Sequence, residues 1–312
     1  MTAVGFRNPH CFFSLHLTAL LIFYITFIIV LCHGKKTALI IESGGQRGVF
    51  SFGITDTFIN RNYDPFDIYI GVSNGVAVLY WYQIGETDNN LDKMLYAAEG
   101  DYLSYKNIFT GKDILKFHQM YEDGEKMFRP STEKIKNNLE GKDYIAVVTD
   151  AIEANAEYYS FRDDEWMPKM IASATLPILV RTPSLINGRR KFDGGIADPL
   201  PVEKAYEMGA KKIIVIRTYE KKFRRKLKLE NYIGALLSRE YPKLRKALLE
   251  HDKTYNRALD FIHNPPHDCE IVQLCPPEKL RSKRDSKNIE ILKLDYKLGK
   301  IVAEEFLNGL YK

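Results

Sequence analysis

The stretch Phe66-Asp67-Ile68-Tyr69-Ile70-Gly71-Val72-Ser73-Asn74-Gly75, followed by an apolar segment over residues 76–84, decides how the chain is read. Its first half is a short run of β-branched and aromatic residues, the composition of a buried strand. Gly71-Val72-Ser73-Asn74-Gly75 then marks a sharp turn, and the apolar segment after it reads as a helix. Strand, turn and helix in that order put Ser73 at the apex, at the N-terminus of the helix, where free N–H groups favour negative charge. Glycines suit the flanks because a tight turn leaves little room for Cβ atoms around a strained residue. Gly-x-Ser-x-Gly also arises by chance in a chain with 20 glycines, so the strand and helix around it carry the assignment of a nucleophile.

Upstream, residues 37–41 read as an interior strand that runs into Glu42-Ser43-Gly44-Gly45-Gln46-Arg47-Gly48 and then a helical pattern over 49–59. A glycine loop between strand and helix exposes backbone N–H groups and makes an anion-binding nest. The anion is either a dinucleotide pyrophosphate or the oxyanion of an acyl-transfer intermediate. The first wants Gly-x-Gly-x-x-Gly and an acid at the end of the second strand. Here the spacing is Gly-Gly-x-x-Gly, and the second strand ends in Gly71-Val72-Ser73, with Asp64 and Asp67 at its opposite end. The oxyanion reading is the better fit.

Downstream, residues 89–139 are helical and polar with no chemistry in the pattern, Ser131 being a plausible helix cap. Strands are expected over 143–148 and 157–161, a helix over 166–173, and a tight hairpin at Asn187-Gly188. The hairpin's second strand delivers Phe192-Asp193-Gly194-Gly195. On its own that is an ordinary turn signal. It gains interest as a partner for Ser73, since a hydroxyl needs a nearby base before it attacks a carbonyl. A helix over 202–208, strands over 212–217 and 270–274, and a helix over 289–307 continue the alternation of an α/β fold.

The whole is a 312-residue chain, 45% hydrophobic and 27% charged, long enough for a large core. A net charge of +5 is mild, and no nucleic-acid-binding motif accompanies it. Only Cys269 and Cys275 lie outside the leader, too few for a disulfide framework or a metal site. Residues 11–32 form an apolar run free of Asp, Glu, Lys and Arg, long enough for a membrane span of about 20 residues. The expected organisation is a leader over 1–36 with an anchor at 11–32, then a catalytic body over 37–312 whose part from about 220 is helical and basic. Lys35 and Lys36 bias the body to the cytoplasmic side; cleavage of the leader as a signal peptide, leaving a secreted body, is the alternative. The basic run Lys221-Lys222-Phe223-Arg224-Arg225-Lys226-Leu227-Lys228 reads as a solvated helix face or as a surface for anionic lipid headgroups.

The glycine loop, the serine elbow and the Asp-Gly-Gly turn, in this order, resemble the patatin-like phospholipase family. The resemblance covers residues 37–218 and extends to the C-terminus in the bacterial YjjU-type branch, through Gly209-Ala210-Lys211, Val215-Ile216-Arg217-Thr218 and Asp295-Tyr296-Lys297-Leu298-Gly299. It implies a three-layer sandwich, a mostly parallel central sheet with helices on both faces. It also implies a Ser73–Asp193 dyad, an oxyanion hole from Gly44, Gly45, Gln46 and Arg47, and supporting turns at Gly48, Gly71, Gly75, Gly194 and Gly195. The implied reaction is hydrolysis of acyl esters of membrane lipids, without metal or cofactor. Ser43 stands where the family's first loop glycine is usual, and Asn74 where a small residue is common, adding a polar side chain beside the acyl pocket. Two other readings compete. One is a Ser–Asp–His triad using His251, His263 or His267. The other is a membrane-anchored scaffold with a degenerate site.

Overall fold

The computed structural model describes residues 35–87, 90–104, 106–110, 112–128, 138–160, 166–180 and 183–311. The first strand, β1 (Lys36–Ile41), is the centre of the sheet and pairs in parallel with β2 (Ile68–Val72) on one side and β7 (Ala210–Ile216) on the other. Parallel pairing continues outward to β3 (Asp143–Asp150) beyond β2 and to β8 (Glu270–Leu274) beyond β7. Three antiparallel strands, β4 (Ala156–Ser160), β5 (Ser184–Ile186) and β6 (Arg189–Asp193), complete the eight-stranded sheet. The β5–β6 turn is Asn187-Gly188, both at positive φ as a two-residue hairpin requires.

Side chains alternate between faces along a strand. On β1, Leu39 and Ile41 join one buried apolar cluster, while Ala38 and Ile40 join the other, so both faces of the sheet are covered. The first cluster is built with α1 (Val49–Asn60), α2 (Asn74–Ile84), α3 (Asn90–Glu99) and the C-terminal helix α10 (Ile289–Leu307). The second takes α6 (Val202–Glu207) and α9 (His251–His263). The expected three-layer α/β architecture is therefore the one adopted. Beside a single turn at Asn107–Thr110, the other helices among the described residues are α4 (Phe117–Phe128), α5 (Trp166–Ala174), α7 (Leu229–Leu237) and α8 (Pro242–Leu249).

Two features of this sheet position the site. The glycine loop, Ser73 and Thr218 follow the carboxyl ends of β1, β2 and β7, three neighbouring parallel strands, which is where open α/β sheets bind ligands. The second feature is on β3. One of its edges pairs with β2 as far as Val147 opposite Val72, and then with β6, whose Asp193 lies opposite Val148. The other edge is held by β4 throughout that stretch.

The C-terminal part is built into the same body. Its β8 extends the central sheet, and α10 packs against α1 so closely that a Cβ at Gly53 or Gly299 would meet the other helix's backbone. β1 starts at Lys36, within the stretch expected to be leader, and β7 closes before Arg217. Among the described residues no helix is long and apolar enough to cross a membrane. The expected anchor at 11–32 and the cap at Ser131 lie outside the described residues.

Candidate active site

Ser73 occupies the apex of the β2–α2 turn with φ +55°, a backbone conformation costing a non-glycine residue on the order of 1–3 kcal/mol. The surroundings hold it there. Its N–H donates to Ser173 Oγ at 2.8 Å, and that hydroxyl donates on to Val147 O at 2.6 Å, so the elbow is tied to β3 through α5. Gly75 lets the first turn of α2 pass against the Ile41 carbonyl, where a Cβ would collide. Gly71 leaves the same freedom to Val76. Ser73 is itself only 7% exposed.

Asp193 ends β6 fully buried. Its backbone N–H donates to Thr175 O at 2.8 Å and its carbonyl accepts from Thr149 Oγ1 at 2.7 Å. Carboxylate Oδ1 accepts from Gly195 N–H at 2.7 Å. Oδ2 is buried without a hydrogen bond, and the Ser73 hydroxyl lies close enough to the carboxyl to act on it. Burial pushes the carboxyl up to about 6; the Ser73 hydroxyl, the Gly195 N–H and the positive charge of Arg284 pull the other way. Gly194 permits this turn to press against the Val147 carbonyl. The structure thus brings Ser73, Asp193, Gly194 and Gly195 together.

The glycine loop reaches the same place from β1. Gly45 needs its φ of +54°, and residues Gly45–Gly48 wind into a single 3₁₀ turn. Asn74 donates from Nδ2 to Gly45 O at 3.0 Å, and a Cβ on Gly48 would collide with that amide. The side chain expected to alter the acyl pocket therefore also fastens the serine elbow to the loop. Of the four expected oxyanion donors, Gln46 N–H is taken by Arg284 O at 2.9 Å and Arg47 N–H by Gly44 O at 3.2 Å. Among the described residues nothing accepts from Gly44 or Gly45 N–H, which leaves the pair of glycines as the open donors. Ser43 is accommodated: its carbonyl accepts from Thr218 Oγ1 at 3.2 Å, and Thr218 N–H donates to the buried Glu42 at 2.7 Å.

Two cavities border this centre. The larger, about 340 Å³, includes Ser73 and is walled by Met94, Ala98, Tyr102, Leu103, Ile114, Leu115 and Met120. These come from the region in which the sequence showed no chemistry. The smaller, about 70 Å³, includes Asp193 and Gly195 and is lined by Arg47, Arg225, Arg284, His251 and Tyr255.

His251 Nε2 donates to the Gly195 carbonyl at 2.8 Å instead of bonding to Asp193. Burial, then the charges of Arg225 and Arg284, push its pKa down to about 3. His263 and His267 are exposed and line neither cavity. Sequence reasoning did not find Ser173, Tyr255 or Arg284, and no local motif marks any of them; Thr218 is singled out only within a run that carries the resemblance, and Arg225 only within the basic run 221–228.

Residues 39–206 match the family described as patatin-like phospholipase, and residues 241–312 match one described as a domain of unknown function, DUF6363. The first match spans more than half of the chain, which therefore belongs to the patatin-like phospholipase family, a family of lipid hydrolases. A relative in Escherichia coli K12, the uncharacterized protein YjjU, is 26% identical over 283 residues, covering 87% of this chain and 77% of the relative. Among solved structures, VipD from Legionella pneumophila aligns over 88% of this chain and 67% of its own, at 12% identity and a TM-score of 0.44.

Proposed function

We propose that this protein is a serine acyl hydrolase that cleaves fatty-acyl esters of membrane lipids through a Ser73–Asp193 dyad and an acyl-enzyme, with residues 37–312 forming one catalytic unit. The observation that carries this reading is the buried Asp193 carboxyl, which the hydroxyl of the elbow serine acts on and whose Oδ2 has no hydrogen bond. In the reaction Ser73 Oγ attacks the ester carbonyl while its proton passes to Asp193 Oδ2. The tetrahedral oxyanion is received by the open N–H groups of Gly44 and Gly45, donors of a kind worth roughly 3–4 kcal/mol each. Asp193 then protonates the leaving alcohol. Water repeats the sequence on the acyl-enzyme, giving up a proton to Asp193 and releasing the fatty acid. The apolar cavity at Ser73 suits the acyl chain.

The dyad is preferred to a triad because the one histidine near the centre among the described residues, His251, is bonded to a carbonyl and is too weak a base, at about 3, to take a proton from Ser73. A lipid surface as the place of action is supported by α7. It exposes Leu229, Tyr232, Ile233, Leu236 and Leu237 beside the small cavity and follows the basic run 221–228. The apolar run at 11–32 supports an additional anchor. Lipid mass spectrometry after incubation with mixed membrane lipids tests the activity. Free fatty acid and a deacylated lipid should accumulate with wild type and not with Ser73→Ala; equal product from both would refute the assignment.

A further inference from the structure

The small cavity beside Asp193 is not used by the chemistry above, and much of its wall is contributed by the C-terminal part of the chain. His251, Tyr255 and Arg284 lie in the segment 241–312, whose family description assigns no function, and Arg225 lies just before it. Arg225 is only 9% exposed, its Nε is buried without a hydrogen bond, and among the described residues no carboxylate lies within 4.0 Å of its guanidinium nitrogens. Its charge rests instead on aromatic faces, 4.4 Å from the Tyr255 ring centroid and 5.3 Å from that of Tyr219. Arg47 likewise lies 3.9 Å over Tyr219 with no carboxylate partner among the described residues. The third cation, Arg284, is 3.3 Å from the partly exposed Glu230.

Three carboxylates share the wall. Glu42 is occupied by Tyr255 OH at 2.5 Å and by Thr218 N–H, Glu230 pairs with Arg284, and Asp193 is the buried acid whose ionised form Arg284 favours. Among the described residues Arg225 and Arg47 are the wall cations left without a carboxylate partner. The effect of the arginines is felt around them. Burial alone would raise the Tyr219 phenol, yet Arg47, Arg225 and Arg284 bring it below its ordinary value. A buried guanidinium without a counter-charge is unfavourable unless an anion completes it. A buried Arg225 without a counter-charge, with Arg47 and Arg284 on the same wall, suits a tetrahedral oxyanion that several guanidinium groups can share better than a single carboxylate.

We propose that this chamber binds a phosphate-type oxyanion, with Arg225 and Arg284 as its cationic ligands and Arg47 at its rim. The two cavities share Ser43, Leu176, Ile178, Glu230 and Arg284 as common wall. The proposal places a lipid whose phosphate lies a few bonds from its ester across that shared wall, phosphate on the Asp193 side and acyl chain on the Ser73 side. The C-terminal segment is then the headgroup site of such a lipid. The headgroup assignment rests on the acyl-hydrolase reading; the oxyanion site does not.

Two measurements test this on the full-length protein. The first is calorimetric titration of inorganic phosphate and of glycerol 3-phosphate into Ser73→Ala protein. Saturable binding is expected, weakened at least tenfold by Arg225→Met and by Arg284→Gln and partly restored in Arg225→Lys. Absence of binding by both anions overturns the chamber, whatever the catalytic result. Arg284→Gln, at a partly exposed position, keeps the test valid if Arg225→Met fails to fold. The second is the ratio of kcat/KM for phosphatidylglycerol to that for diacylglycerol of the same chains, in mixed micelles. A tenfold or greater fall in that ratio with Arg225→Met or Arg284→Gln assigns the site to a lipid headgroup. Lost phosphate binding with an unchanged ratio assigns it to free phosphate and overturns the headgroup role. Failure of the Ser73 chemistry is seen separately, as a wild-type protein that turns over neither lipid.

Discussion

Ser73 and Asp193 meet because one edge of β3 changes partner between Val147 and Val148, with Val72 of β2 opposite the first and Asp193 of β6 opposite the second. The serine leaves the sheet at the same step at which the aspartate enters it. Their separation is thus set by strand register and not by a loop, and one shared anchor, Ser173, ties the elbow to Val147 itself.

Replacing Asp193 with Asn keeps the shape and removes the base. Steady-state hydrolysis of a soluble p-nitrophenyl ester should fall about 10³-fold in kcat, within the range for a lost general base. Activity surviving within tenfold of wild type would count against the assigned role.

The pH profile follows from the same group. Burial raises Asp193 to about 6, and only the ionised form accepts a proton, so kcat/KM should rise with pH through an acid limb near 6 and level above it. The stability consequence has the opposite sign. A raised carboxyl favours the folded state fully below its unfolded value near 3.8, and this contribution is lost as pH rises through about 6. At pH 8 the ionised wild type should therefore be less stable than Asp193→Asn, by on the order of 2–3 kcal/mol. Thermal melting of both proteins at pH 5 and pH 8 checks it; a gap that does not widen with pH contradicts the burial argument.

Ser173 is fully buried and has two hydrogen bonds to lose. In Ser173→Ala the Ser73 N–H and the Val147 carbonyl are left buried and unpaired, which should cost about 1–3 kcal/mol in denaturant unfolding. Because the lost contact orients the elbow, kcat should drop at least tenfold. A stability loss with unchanged kcat would show that the elbow holds its own shape.

Asn74 is expected to matter through its bond to Gly45 O. Asn74→Ala should loosen the loop that carries the open donors and lower kcat about tenfold, with KM within a factor of three. A change confined to KM or chain-length preference would instead place Asn74 in substrate contact alone.

For the surface, the pair Ile233→Asp and Leu236→Asp on the exposed side of α7 should abolish co-sedimentation with phosphatidylglycerol vesicles while leaving the melting temperature within about 2 °C. Undiminished vesicle binding would remove α7 from the membrane contact.

Much of this centre was legible because local chemistry dictates it. Gly71, Ser73 and Gly75 announce the elbow, Gly44 and Gly45 the nest, and Asn187-Gly188 the hairpin that delivers Asp193. Each is a backbone requirement that only particular residues meet. The rest depended on distance in sequence. Ser173 is an ordinary helix residue until β3 places its hydroxyl under Ser73. Arg225 and Arg284 sit in basic, loop-like sequence, and nothing local separates them from solvated neighbours until Tyr219, Tyr255 and Asp193 fold around them. The acyl cavity was missed for a similar reason. Residues such as Met94, Tyr102 and Ile114 have the pattern of helix and loop packing, and a wall around empty space has the same pattern. That the N–H groups of Gln46 and Arg47 bond to Arg284 O and Gly44 O is not legible in the sequence, because these bonds arise from the folded loop.

The central claim is that Ser73 is a nucleophile activated by Asp193 without a histidine. Intact-mass analysis after treatment with a fluorophosphonate, with peptide mapping of the adduct, tests it most directly. One adduct on Ser73 is predicted for wild type and for the His251→Ala, His263→Ala and His267→Ala variants, none for Ser73→Ala, and strongly slowed labelling for Asp193→Asn. A folded wild-type protein that takes no label, or one whose labelling is abolished by any single histidine change, would contradict it.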